Sequence, residues 1–221
     1  ALTLTSYSLP LAVSKLVSAR LATGQYKNAY RVFRGAMTFA IAAGGIVGAI
    51  IFFGADFIAS NLMAMKMSTL ALRVLAPCIL IVAILGVFRG FFQGMGTMIP
   101  SAVSQIIEQI VNAVVSVGAA YVLFAYGKRI ATVLGSKEHY DAAYGAAGGT
   151  LGTSAGAFFG LVFILFVFSM FMPKYKKMMK RERKIGHKEP ESYRNIFRIL
   201  IGTIVPVLLS TTIYNLVSIV D

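Results

Sequence analysis

The chain has 221 residues, 57% of them hydrophobic and only 13% charged, with 21 Lys+Arg against 8 Asp+Glu for a net charge of +13. Its mean hydropathy is +0.77. An ordinary soluble domain is about 45–50% apolar and about 25% charged, so this composition excludes that class and indicates a polytopic membrane protein.

A membrane-spanning helix needs about 20 mostly apolar residues. Six stretches fit, in chain order: a partial one over 1–17, then 32–53, 69–88, 99–121, 144–172 and 196–220. They are too long for barrel strands and lack their period-two alternation. Helices satisfy their own backbone groups where no water is present. The expected fold is therefore all-α, a polytopic bundle of about six transmembrane helices. The chain begins inside one apolar segment and ends inside another. It reads as a fragment of a longer protein, cut at both ends, with a processed mature terminus as the alternative.

The bases alternate between the connections. Lys15, Arg20, Lys27, Arg31 and Arg34 follow the first span, Arg89 the third, and ten more the fifth, from Lys174 to Arg198. Lys66, Lys128, Arg129 and Lys137 lie on the other side, and Arg73 falls inside the third span. That is 16 against 4. The positive-inside rule places 18–31, 89–98 and 173–195 in the cytoplasm. The basic connection 173–195 reads as a topology-retaining loop attracted to anionic headgroups, or as a lipid- or partner-binding stretch. The glycines between Gly145 and Gly160 permit close helix packing; a hinge is the alternative. Pro10, Pro77 and Pro206 interrupt three spans. Such prolines occur in broken helices near transporter sites and also in inert membrane helices.

The fourth span carries an unusual pattern. Thr97 and Pro100 mark a helix start, since Pro suits the first turn. Ser101, Gln105, Glu108, Gln109, Asn112 and Ser116 then recur at steps of three and four, which is one helix face. Ile106, Ile107, Ile110, Val111, Val114 and Val115 form the rest. Glu108 lies roughly 12 Å along the helix from Pro100. A lone carboxylate at that depth costs several kcal/mol, so it faces a wet cavity, pairs with a base, or is protonated. Arg89 and Gln93 share a face at the end of the preceding span. Two readings stand together: an Arg89–Glu108 clamp between helices, and a cavity lining for a polar headgroup. A proton relay is weaker, because no second acid lies in register. Arg73 is expected to snorkel outward or to join the same lining.

No catalytic constellation is expected. No phosphate-cradling loop, nucleophile elbow or metal-spaced His/Cys/Asp set is present in the sequence, and His139 and His187 lie far apart. The single cysteine, Cys78, excludes an internal disulfide. The reading is not an enzyme, with no cofactor, no metal and no nucleic-acid partner.

The segments LPLAVSKLVSARLATGQYKNAYRVFR (9–34) and LAPCILIVAILGVFRGFFQGMGTMIPSAVSQIIEQIVNAVV (75–115) carry a resemblance, as does the final IVPVLLSTTIYNLVSIVD. They resemble the polysaccharide-transport branch of the multidrug/oligosaccharidyl-lipid/polysaccharide exporter superfamily, in the group of sporulation proteins and lipid II flippases. The resemblance implies a protein of about fourteen helices in two lobes, of which this chain is most of the N-terminal lobe, helices two to seven. It implies a flippase that moves lipid-linked oligosaccharide or peptidoglycan precursor across the bacterial cytoplasmic membrane. Implied roles are cell-wall biogenesis, cell shape and sporulation. Implied partners are the lipid-linked saccharide, membrane lipids and cell-wall synthesis proteins. The pyrophosphate-holding arginines of the flippase group belong to elements outside this chain. The substrate-cavity residues expected here are Arg73, Arg89, Gln93, Gln105, Glu108, Gln109 and Asn112. A multidrug–cation antiporter of the same superfamily would want a cluster of membrane acids. A non-transporting scaffold for wall-synthesis enzymes would carry its polar residues in loops.

Overall fold

A computed structural model describes residues 2–62, 69–134, 140–184 and 191–220. Lys66, Lys137, Glu138, His139, His187, Lys188 and Asp221 lie outside the described residues, as do the side chains of Arg183, Lys184 and Asn215. The described residues are helical with short turns and no strand. The helices are α1 (Leu2–Ala22), α2 (Tyr26–Phe57), α3 (Thr69–Gly94), α4 (Ile99–Leu134), α5 (Tyr140–Lys184) and α6 (Tyr193–Val220). Among the described residues four are long and apolar enough to cross a membrane: Tyr26–Ser60, Thr69–Gly94, Ile99–Ile130 and Asp141–Glu182. The α1 and α6 helices occupy the first and sixth expected spans. The chain is a multi-pass membrane helix bundle.

The helices are longer than the apolar runs that announce them. The α5 helix continues through Pro173 to Lys184, so the basic connection begins as helix. Lys, Arg and Met are strong helix formers, and a helix once nucleated gains one bond per added residue. Pro10, Pro77 and Pro206 also lie inside continuous helices. The α2 helix closes in a short π-helical turn over Ile58–Leu62.

Two helices end in the same way. Gly24 and Gly96 adopt positive φ, 72° and 78°. Around Gly24, the Gly24 amide donates to Leu21 and the Gln25 amide to Arg20. Around Gly96, the Gly96 amide donates to Gln93 and the Thr97 amide to Phe92. These are paired Schellman closures, which satisfy end carbonyls and need a residue without a Cβ at the left-handed position.

The chain divides into two compact units. Unit 1 comprises Ala1–Ile41, Val82–Ala102 and Phe163–Asp221; unit 2 comprises Ala42–Ile81 and Val103–Val162. In unit 1, α1 packs on α6, and α1 runs parallel to α3. A Cβ on Gly90 would sit 2.6 Å from the Pro10 carbonyl oxygen, and one on Gly94 would sit 2.7 Å from Val17 Cβ. Phe33, Phe88, Phe91 and Phe168 fill the interior, with ring centroids 4.8 Å apart for Phe33–Phe91 and 5.0 Å for Phe88–Phe168. Tyr175 is fully buried and donates to the Tyr26 carbonyl at 2.8 Å. In unit 2, α4 and α5 run antiparallel with almost no side chain between them. A Cβ on Gly148 would sit 2.6 Å from the Ala119 carbonyl, and one on Gly156 would sit 2.5 Å from the Glu108 carbonyl. Gly152 abuts Ser116 directly. Gly48 meets the Ala76 carbonyl in the same manner, at 3.0 Å, between α2 and α3.

Candidate functional site

The polar residues of α4 divide into two groups. Glu108, Asn112 and Ser116 stand at i, i+4 and i+8, one above the other on a helix. They line the seam against α5, where Gly152 and Gly156 let the backbones approach. The Ser116 hydroxyl lies 2.9 Å from both Asn112 Oδ1 and the Gly149 carbonyl. Thr153 Oγ1 approaches the same Asn112 oxygen at 3.5 Å. The seam continues to α3: the Ser154 hydroxyl donates to the Val74 carbonyl at 3.2 Å, and Cys78 Sγ lies 4.0 Å from the Thr153 carbonyl. Small and hydroxylated residues are the usual contacts between helices in lipid.

Gln105 and Gln109 do not join that seam. Both are exposed. They occupy one edge of an open arc of α4 that then turns apolar through Ile106, Ile110, Val114, Val117 and Tyr121, the last 79% exposed. At about 100° per residue, Gln105 and Gln109 lie beside Asn112 and Ser116 at the boundary between packed and open surface. Glu108 is half-buried and has an interaction partner.

In unit 1, Arg89 is 9% exposed and Gln93 half-buried. The buried Ser101 hydroxyl donates to the Arg89 carbonyl at 3.2 Å, tying the start of α4 to the end of α3. Arg73, in unit 2, bonds Asp56 Oδ2 through Nη2 at 2.8 Å. Asp56 ends the second span and carries no pattern that singles it out in the sequence.

Sequence reasoning also missed a second polar group, in unit 1. Arg20 donates to Glu191 Oε2 at 2.8 Å and to the Leu16 carbonyl at 3.1 Å. Arg31 donates to the Glu191 carbonyl at 2.5 Å and stacks over Tyr193. Asn28 Oδ1 accepts from the Glu191 amide at 3.1 Å. Glu182 Oε2 accepts from the Lys27 amide at 2.8 Å, an acid at the N-terminus of α2 where the helix dipole favours one. The signal was the presence of acids within an otherwise basic run. No group of three or more His, Cys, Asp or Glu residues among the described residues is placed to hold a metal ion.

Over 180 residues the chain is 30% identical to stage V sporulation protein B of Bacillus subtilis (strain 168), covering 81% of this chain and 31% of that protein. Over 130 residues it is 29% identical to lipid II flippase MurJ of the same organism, covering 55% of this chain and 24% of that protein. The chain thus spans a third or less of the length of these relatives. No solved structure matches it. The MatE family profile matches residues 2–118, which is more than half of the chain and includes α1, α2, α3 and the polar half of α4. The chain belongs to the MatE family, within the multidrug/oligosaccharidyl-lipid/polysaccharide exporter superfamily.

Proposed function

We propose that this chain is the N-terminal part of a flippase that moves a lipid-linked oligosaccharide or peptidoglycan precursor across the bacterial cytoplasmic membrane. The observation that carries the reading is the similarity to lipid II flippase MurJ and stage V sporulation protein B, beside a MatE match over residues 2–118 that includes the polar half of α4. A saccharide head needs a hydrogen-bonding path through the bilayer, while its lipid tail needs none. The exposed edge of α4 offers both surfaces: Gln105 and Gln109 for the head, then Ile106, Ile110 and Val114 for acyl chains. Asn112 holds that edge in place through Ser116 and Thr153, and half-buried Glu108 joins the proposed lining. Arg73 in unit 2, and Arg89 and Gln93 in unit 1, are further proposed contacts of the head. Alternating access of two lobes supplies the movement. The basic connections 18–31, 89–98 and 173–195 face the cytoplasm in this reading, on the side favoured by the excess of Lys and Arg.

The test is reconstitution of the full-length protein in vesicles containing fluorescent lipid II, with transfer between leaflets read by a membrane-impermeant quencher. Glu108→Gln is expected to keep its melting temperature and to slow transfer. Unchanged transfer together with unchanged melting would overturn the role of this face. Sidedness is tested separately, by a reporter active only outside the cytoplasm inserted within 185–190. A strong signal there would reverse the topology.

A further inference from the structure

We infer that unit 1 contains a binding site for one anionic phospholipid, separate from the α4 surface and not dependent on the transport reading. A cavity of about 300 Å³ is lined by Leu21, Tyr26, Met95, Thr97, Phe171, Lys174, Tyr175 and Met178. Its rim is built by the two Schellman closures, Arg20–Gln25 and Phe92–Thr97, against α5. Its walls divide by chemistry. Leu21, Met95, Phe171 and Met178 are apolar, whereas Lys174 brings an ammonium to the same space.

Two hydroxyl hydrogens of the lining are already committed. Tyr175 donates to the Tyr26 carbonyl at 2.8 Å, and Thr97 to the Phe92 carbonyl at 3.2 Å. Lys174 is different. Among the described residues it has no acidic partner, and the described acids of the run that follows it, Glu182 and Glu191, are engaged elsewhere. Glu182 caps α2 through the Lys27 amide, and Glu191 holds Arg20. Lys176, Lys177, Lys180 and Arg181 follow on the same helix, so among the described residues positive charge is in excess beside the cavity. An anion is therefore the complementary ligand. Apolar walls add that the anion carries a hydrocarbon chain.

The position in the sequence points to the membrane boundary. The lining residues of α5 span the change from the apolar run 144–172 to the basic run that follows it. Half-buried Tyr26 suits that level, where amphipathic rings sit among headgroups. A cavity of about 300 Å³ is at the small end of ligand sites. It admits a glycerophosphate-sized head and the first carbons of its chains, and it is too small for a peptide-bearing disaccharide on its phosphates. These features favour a phospholipid over the transported precursor. The Lys174 ammonium takes the phosphate, and Phe171 and Met178 take the start of the acyl chain.

The test is native mass spectrometry of the full-length protein in detergent, titrated with phosphatidylglycerol or phosphatidylcholine. The expected result is one tight phosphatidylglycerol adduct with no phosphatidylcholine equivalent. A Lys near an anionic lipid surface contributes enough that Lys174→Gln should weaken the adduct about fivefold. Met178→Trp, which fills the cavity, should remove it while melting stays normal. Lys180→Gln, a base on the same helix outside the cavity, should leave it within about twofold. Equal weakening by Lys174→Gln and Lys180→Gln would show a diffuse basic surface and overturn the site. So would equal binding of phosphatidylcholine. Displacement of phosphatidylglycerol by undecaprenyl phosphate at lower concentration would overturn the phospholipid assignment in favour of a prenyl-linked phosphate.

Discussion

Unit 1 and unit 2 share α2, α3, α4 and α5 and are held by different chemistry. Both use glycine where backbones meet, Gly90 and Gly94 in the first, Gly148, Gly152 and Gly156 in the second. Unit 1 then fills its interior with phenylalanine rings and ties α1, α2 and the start of α6 together through Arg20, Arg31, Asn28 and Glu191. Unit 2 has no such ring cluster among its described residues. Its α4–α5 seam is glycine against backbone, sealed by Ser116, Asn112 and Thr153. The sequence stretches of unit 1 hold 16 of the 21 Lys and Arg residues. Burying an apolar side chain between helices gains little over leaving it in lipid tails, so close contact and hydrogen bonds must hold a seam there. Where charged groups and water are at hand, longer side chains and ion pairs become usable. The two units show these two solutions in one chain.

The largest effect should come from breaking the unit 2 seam. Gly152→Leu places a side chain onto the Ser116 backbone, which is helix and cannot yield as a rotamer does. The expected cost is at or above the usual overpacking range, about 3 kcal/mol or more. In practice it should appear as loss of monodisperse protein in fluorescence-detected size exclusion. Gly118→Leu, on the same helix pair but with open space at its Cβ, should stay within about 0.5 kcal/mol of the parent. If the two variants melt alike, the seam is not what holds unit 2.

The seam also shows what was legible beforehand. Hydropathy located all six helices, because span length and apolar content are direct demands of the bilayer. It did not find their ends: Lys174 to Lys184 looked like loop by polarity, although those residues favour helix. Three-four spacing placed Glu108, Asn112 and Ser116 on one face, and the glycines of α5 read as packing residues. Their meeting was not readable, since nothing in the local sequence says that Gly152 lies on Ser116. For the same reason Gln105 and Gln109 seemed equivalent to Asn112. A face of six polar residues is wider than one neighbouring helix covers. The Gly90–Gly94 pair has helix-packing spacing in plain view, yet the phenylalanines around it dominate the stretch. Pairs across long separations, Arg20 with Glu191 or Cys78 with Thr153, leave no trace in local periodicity.

A smaller effect is expected in unit 1 from Glu191→Gln. It removes the counter-charge of Arg20 and leaves the backbone contacts to Arg31 and Asn28 in place. The two side chains are 11% and 27% exposed, and Arg20 Nε is already buried without a hydrogen-bond partner among the described residues. Isolating a charge so placed should cost about 1–3 kcal/mol, below the 3–5 kcal/mol typical of a fully buried pair. The double variant Arg20→Gln/Glu191→Gln should recover part of the loss in thermal melting. No recovery would mean that Arg20 is held by its other contacts.

The smallest effect should come from the ion pair of unit 2, and it sharpens the contrast most directly. Arg73 and Asp56 make a contact of the same length as Arg20 and Glu191, 2.8 Å in both. Distance alone would rank the pairs equally. Exposure does not: the Arg73 and Asp56 side chains are 47% and 68% exposed. Hydrated charges attract weakly, and two long side chains lose freedom by pairing, so such contacts contribute about 0–1 kcal/mol. Asp56→Asn should therefore shift melting less than Glu191→Gln, and added salt should narrow whatever shift remains, since exposed pairs are screened. The pairwise coupling is the cleaner quantity, because it cancels what each residue does alone. Double-mutant cycles on both pairs should give a coupling for Arg20–Glu191 that exceeds that for Arg73–Asp56. The reverse order would mean that Arg73 and Asp56 are shielded in the folded protein, by lipid or by parts of the protein beyond this chain, and that unit 2 relies on charge as unit 1 does.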